Sequence, residues 1–151
     1  MTAQRSLNMT FPADLASVDQ ARYRIQVLCR EVFPLDTEAT TDFCVAINEA
    51  MNNAVEHSGS PLVETEILTD VNSMTFRMRT CGKRFDPTSK AAFPNLDKLK
   101  DLPEGGYGLA LIQAFVDRLD YEYRDGKNIL TLIKNIHPGG IGSGDYNRDD
   151  Q

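Results

Sequence analysis

The stretch Asn48-Glu49-Ala50-Met51-Asn52-Asn53-Ala54-Val55-Glu56-His57, followed by Ser58-Gly59, decides how this chain is read. Apolar residues recur at Phe43, Ile47, Ala50, Met51, Ala54 and Val55, the i, i+4, i+7, i+8 rhythm of an amphipathic helix. At about 100° per residue, Glu49, Asn53 and His57 fall in one row of i, i+4 neighbours. That row runs along the margin of the apolar stripe, so a carboxylate and a carboxamide are held where core meets cleft. Gly59 suits the end of such a helix, because it takes the left-handed conformation without a Cβ penalty. Alone, the row is an ordinary polar rim on a core helix. Two later stretches give it another meaning.

Working outward, Arg5 to Phe11 alternates as a strand with Leu7, Met9 and Phe11 on one side. Pro12-Ala13-Asp14 leads into a helix carrying Leu15, Val18, Ala21, Ile25, Leu28 and Val32. Pro34-Leu35-Asp36 ends it, and Asp36 or Thr37 can cap the central helix, expected from about Glu38 to His57. Pro61 breaks the chain before a strand at Val63 to Leu68, and Asp70-Val71-Asn72-Ser73 reads as a hairpin turn into the alternating Met74 to Arg79. From Cys81 to Glu104 no period is sustained, and with Pro87, Pro94 and Pro103 the segment reads as a lid or binding loop over 83–104. Gly105-Gly106-Tyr107-Gly108 opens into a further amphipathic helix with Leu109, Ile112, Phe115, Val116 and Leu119. Tyr121 to Arg124 and Ile129 to Ile133 flank Asp125-Gly126-Lys127-Asn128, a hairpin signal with Asp-Gly at the turn. The tail, 138–151, is rich in Gly and Asp with almost no apolar anchor and is expected to be disordered. The sum is an α+β, two-layer sandwich over residues 1–137: a mixed, mostly antiparallel sheet covered on one face by about three helices.

Composition narrows the function. With 151 residues, 41% hydrophobic and 25% charged, the chain suits one soluble domain with a proper core. A net charge of −6 disfavours nonspecific nucleic-acid binding. The start of the chain has no apolar run like a signal peptide, and no stretch resembles a membrane span, so a cytoplasmic protein is expected. Cys29, Cys44 and Cys81 are odd in number and far apart in sequence, which favours free thiols over a disulfide framework or a metal site.

Two stretches carry chemistry beside the helix. The glycine-rich turn at 105–108 precedes a helix, so its amides can approach an anion at the positive helix end. It is not a P-loop, because no Gly-Lys-Ser/Thr follows, and it is not a Rossmann turn, because a loop and not a strand precedes it. Gly82, with Phe85-Asp86-Pro87, is a third marker just after a strand.

In this order and spacing these elements resemble the GHKL ATPase superfamily, with its Bergerat-type fold. More narrowly they resemble the anti-sigma-factor serine kinases of bacterial partner-switching systems, over nearly all of residues 5–136. Glu49-Ala50-x-x-Asn53-Ala54-x-x-His57 matches the N box, Cys81-Gly82-x-x-Phe85-Asp86-Pro87 the G1 region, and Gly105-Gly106-x-Gly108-Leu109-x-Leu111-Ile112 the G2 box. The resemblance implies ATP and Mg²⁺, with Asn53 as metal ligand and Glu49 as general base for an incoming serine hydroxyl. It places Thr80, Gly82, Gly105, Gly106, Gly108 and Leu109 at the nucleotide, with Tyr107 at a variable position. Lys83, Arg84 or Lys90 would screen phosphate charge. Thr80 stands where the superfamily carries an adenine-reading Asp, and Arg84 where it carries a second Gly. The implied partners are a serine-bearing antagonist protein and a sigma factor or other regulatory protein, and dimerisation is what the family suggests. The alternative on the same fold is a weakly ATP-binding or non-catalytic module that works by sequestering partners.

Overall fold

The computed structural model describes residues 4–84 and 111–136. In chain order the elements are β1 (Arg5–Pro12), α1 (Leu15–Val32), α2 (Thr37–His57), β2 (Leu62–Thr69), β3 (Ser73–Cys81), β4 (Arg118–Arg124) and β5 (Lys127–Asn135). The strands form one sheet in the order β1-β2-β3-β5-β4. Every described pairing is antiparallel, so the sheet expected as mixed and mostly antiparallel is antiparallel throughout the described strands.

Both α1 and α2 begin where a carboxylate can satisfy open amides. Asp14 accepts from Ser17 N at 2.7 Å at the start of α1, and Asp36, not Thr37, caps α2 by accepting from Ala39 N at 3.4 Å. At the far end of α2, Ser58 N donates to Ala54 O and Gly59 follows at φ 71°, the left-handed stop its sequence called for.

Strand alternation and helical period meet in one core. From α1 come Val18, Ala21, Ile25 and Leu28, and from α2 come Phe43, Ile47, Ala50, Met51 and Ala54. The sheet answers with Val63, Ile67, Met74, Phe76 and Leu132. Phe43 and Phe76 are fully buried, and burying side chains of this size contributes about 1.5–3 kcal/mol each. On the opposite sheet face the partners Glu66 and Arg77 form a cross-strand ion pair at 3.3 Å. Such a half-exposed pair is worth only about 0.2–1 kcal/mol.

Residues 111–115 are helical and send Ile112 into the same core, on the same face as α1 and α2. The helix does not reach Leu119, as the apolar spacing suggested; Leu119 lies on β4. Asp117 turns the chain there, its amide donating to Ile133 O at 2.8 Å and its carboxylate accepting from Asn135 N at 2.7 Å. Among the described residues no helix is long and apolar enough to cross a membrane. The glycine-rich turn at 105–108, Leu109, Lys90, most of the expected lid and the tail at 138–151 lie outside the described residues.

Candidate functional site

A pocket opens between the C-terminal half of α2 and the end of the sheet where β3, β5 and β4 lie side by side. Its walls are apolar: Ala50 and Ala54 of α2, Met78 of β3, Leu130 of β5, Leu119 of β4, and Ile112. Alternation explains the sheet side, because Met78, Leu130 and Leu119 point to the helix-covered face. Set into these walls are the polar side chains of Asn53, Ser58, Thr80, Tyr121 and Asn128.

The helical row is found where its spacing put it. Asn53 lines the pocket, and Glu49 stands one turn earlier; both are half-buried. Neither side chain is held in a hydrogen bond or ion pair among the described residues, so both can turn to a ligand. His57, the third of the row, is exposed with Nε2 3.6 Å from Glu56 Oε1, outside the pocket.

Thr80 is 5% exposed and pairs in register with Asn128, which is 6% exposed. The Asn128 carboxamide is held at both ends: its oxygen accepts from the Tyr121 hydroxyl, and its nitrogen donates to Lys83 O at 2.9 Å. The Arg84 guanidinium lies over the Tyr121 ring, 5.6 Å from its centroid, within reach of a cation–π attraction. Of Lys83, Arg84 and Lys90, the candidates to screen phosphate charge, Arg84 thus has its guanidinium on the β4–β5 hairpin, while Lys83 meets that hairpin through its backbone carbonyl.

Gly82 sits where the two layers approach each other. It has φ 130°, and a Cβ there would meet Ser58 O at 3.3 Å. Its amide donates to Gly126 O at 3.1 Å and its carbonyl accepts from Tyr123 Oη at 2.9 Å. Ser60 closes the same corner, its hydroxyl accepting from Cys81 N at 3.1 Å and donating to Leu62 O at 2.6 Å. The end of α2 is thereby stitched to the end of β3, so Asn53 and Thr80 face one pocket.

A profile of the histidine kinase-like ATPase domain matches residues 11–134, which takes in both layers and the whole pocket. The chain belongs to this family. Among curated relatives of the histidine kinase-like ATPase domain described here, the serine/threonine-protein kinase BtrW of Bordetella bronchiseptica is 32% identical over 95 residues, 60% of this chain and 67% of the relative. The anti-sigma F factor of Clostridium acetobutylicum is 23% identical over 135 residues, 87% of this chain and 93% of that protein. A crystal structure of the RsbU and RsbW domains of Rv1364c from Mycobacterium tuberculosis superposes with a TM-score of 0.60 at 19% identity. The match covers 89% of this chain and 33% of that one, and it shows a shared fold.

Membership of a histidine kinase-like ATPase family implies use of ATP, and the pocket suits it. Apolar walls with convergent amide, hydroxyl and phenol groups are what a planar heteroaromatic base requires. The metal is another matter. Among the described residues no three His, Cys, Asp or Glu gather to hold an ion; the Asn53 carboxamide oxygen in the pocket wall is a group that could contribute to a cation held mainly by phosphates and water. Mg²⁺ is commonly held in that way.

Sequence reasoning placed Glu49, Asn53, Thr80 and Gly82 around one site; the fold sets Asn53 and Thr80 in the lining of one pocket, with Glu49 one turn back on α2 and Gly82 just past the end of β3. It missed Asn128 and Tyr121. Asp125-Gly126-Lys127-Asn128 reads as a turn, yet the turn is Asp125-Gly126 alone, and Asn128 is already the second residue of β5. The signal that could have found it was strand alternation, since Asn128 shares a face with Leu130 and Leu132.

Proposed function

We propose that this chain is an ATP-dependent serine protein kinase of the anti-sigma-factor type. It transfers the γ-phosphoryl group to a serine of a small antagonist protein and holds a regulatory partner such as a sigma factor. The observation that carries this reading is the half-buried Glu49–Asn53 pair at the margin of the apolar pocket. The names of the Bordetella and Clostridium relatives support it.

In this reading the base of ATP enters between Met78, Leu130 and Ala50, and the Thr80–Asn128 pair meets its polar edge. Asn53 offers its carboxamide oxygen toward the triphosphate. Glu49, one turn away, accepts the proton of the serine hydroxyl as that oxygen attacks the γ-phosphorus and ADP leaves. Bound Mg²⁺ supplies charge neutralisation across the phosphates. In the same reading Gly105, Gly106 and Gly108 offer backbone amides to the phosphates, and Leu109 is counted with them at the nucleotide.

A second reading has support of its own. Thr80 presents a neutral hydroxyl where a carboxylate would make a stronger, charge-assisted bond, and Arg84 is drawn onto Tyr121. Both features favour a module on the same fold that binds ATP weakly and acts by sequestering partners. The discriminating measurement is the melting temperature with and without Mg²⁺-ATP. A rise at millimolar nucleotide that grows with its logarithm supports the kinase. A melting temperature indifferent to saturating nucleotide supports sequestration.

A further inference from the structure

Where α1 packs against α2, two thiols meet. Cys29 Sγ lies 3.8 Å from Cys44 Sγ. Cys29 is 3% exposed and also sits 3.9 Å from Met74 Sδ. Cys44 is half-buried and opens to a surface cleft whose rim includes Gln26, Arg30, Thr41 and Asn48. The candidate site uses neither sulfur. Cys81, the remaining cysteine, is exposed.

This contact makes the two thiols unlike. Either sulfur can donate in the shared hydrogen bond; with Cys29 as donor it lowers the Cys44 thiol below its usual value, burial opposing and the Arg30 guanidinium assisting. The same hydrogen bond, together with burial, pushes the Cys29 thiol strongly up. Cys44, half-buried and reached from the cleft, is the sulfur placed to meet an oxidant first, and Cys29 lies behind it. A nucleophile with a neighbouring second thiol is the arrangement that turns oxidation into a reversible event.

We propose that Cys29 and Cys44 form a hydroperoxide-sensitive dithiol that closes to a disulfide joining α1 to α2. Cys44 gives up its proton, and the thiolate attacks one oxygen of hydrogen peroxide; an S–O bond forms, the O–O bond breaks, and the departing hydroxide combines with the released proton as water. The Cys29 sulfur then attacks the Cys44 sulfur. The S–S bond forms, the S–O bond breaks, and the hydroxyl leaves with the Cys29 proton as a second water. Two thiols are oxidised by two electrons and one peroxide is reduced to two waters. The sulfurs must close from 3.8 Å to about 2.05 Å, a movement of side chains and of the α1–α2 contact. Glu49 and Asn53 ride on the same helix as Cys44, so the bond would tether the helix that carries them. No step involves nucleotide, and the inference holds for a kinase and for a sequestering module alike.

The test uses the native full-length chain, reduced, exposed to a small excess of hydrogen peroxide, denatured and alkylated. Trypsin cuts after Arg30 and so separates the two cysteines. Mass spectrometry should find a linked pair of peptides carrying Cys29 and Cys44, formed several-fold faster than Cys81 is modified and undone by dithiothreitol. Cys29→Ser should stop at a Cys44 sulfenic acid that dimedone traps. Full alkylation of Cys29 and Cys44 while Cys81 is oxidised would overturn the proposal. So would Cys44 passing to the sulfinic acid with Cys29 still free.

Discussion

Thr80 and Asn128 face each other across β3 and β5 as register partners, both buried at the pocket. The pair joins β3, which ends at Cys81 just before Gly82, to the hairpin that carries Tyr121. Thr80 contributes a neutral hydroxyl. Asn128 contributes a carboxamide already fixed by Tyr121 and Lys83. What this corner offers a ligand is therefore polar but uncharged.

Thr80→Asp should change that. Without nucleotide, a new carboxylate beside buried Asn128 loses solvation, so the melting temperature should fall. With ATP it gains a charge-assisted bond to the exocyclic amine, and affinity should rise by about ten- to a hundredfold. Calorimetry on native and variant chains checks both halves. Tight ATP binding by the native chain, unimproved in the variant, would mean that the base is read elsewhere.

Asn128→Ala removes the bond from the Tyr121 hydroxyl and the bond to the Lys83 carbonyl and should cost about 1–3 kcal/mol. Tyr121→Phe removes one of those bonds and should cost about 0.5–1.5 kcal/mol. The two costs should not add, because they share a bond. Urea titrations of both single variants and the double variant measure the coupling. Strict additivity would show that the Tyr121–Asn128 bond contributes nothing to stability.

Gly82 and Gly126 both have positive φ, at 130° and 76°, but only Gly82 is close-packed, against Ser58 O. Gly82→Ala should therefore destabilise by about 1–3 kcal/mol and more than Gly126→Ala, whose Cβ meets open space. Thermal melts rank the two. The reverse order would mean that the α2–β3 corner yields easily.

Asp14 gives a pH signature. The Ser17 backbone amide, and then the Ser17 side chain, hold its carboxyl below the usual value of 3.8. Its capping contribution is thus present above the unfolded pKa and is lost as pH falls through the lower folded one. Native and Asp14→Ala chains should differ in stability at neutral pH and converge in strong acid. A difference independent of pH would show that the cap acts without its charge.

The central helix and most of the fold could be read in the sequence because their signals are local. A 3.6-residue period with Asp36 before it and Gly59 after it defines α2, and alternation defines β1, β2 and β3. The Glu49–Asn53 row was legible for the same reason. Asn128 was not, because its role depends on a pairing between segments about 45 residues apart, as its bond to Lys83 illustrates. The meeting of Cys29 and Cys44 depends likewise on how α1 crosses α2, which neither helix encodes alone. Leu119 was assigned to a helix because its spacing fits one, but Asp117 draws the chain into the sheet before that period can continue.

The central claim rests on Glu49 as base and Asn53 as phosphate-side ligand, and it is tested by phosphate transfer from labelled ATP to a serine-bearing antagonist protein, run beside a partner-binding measurement. Both residues lie at the margin of the core, so either replacement should leave the fold intact. Glu49→Gln should still bind nucleotide but lose about 10²–10⁴-fold in transfer rate, whereas Asn53→Ala should fail first in Mg²⁺-ATP binding. If the native chain transfers no phosphate to any such antagonist, and both variants hold the partner as well as it does, the kinase account is wrong and the protein acts by sequestration.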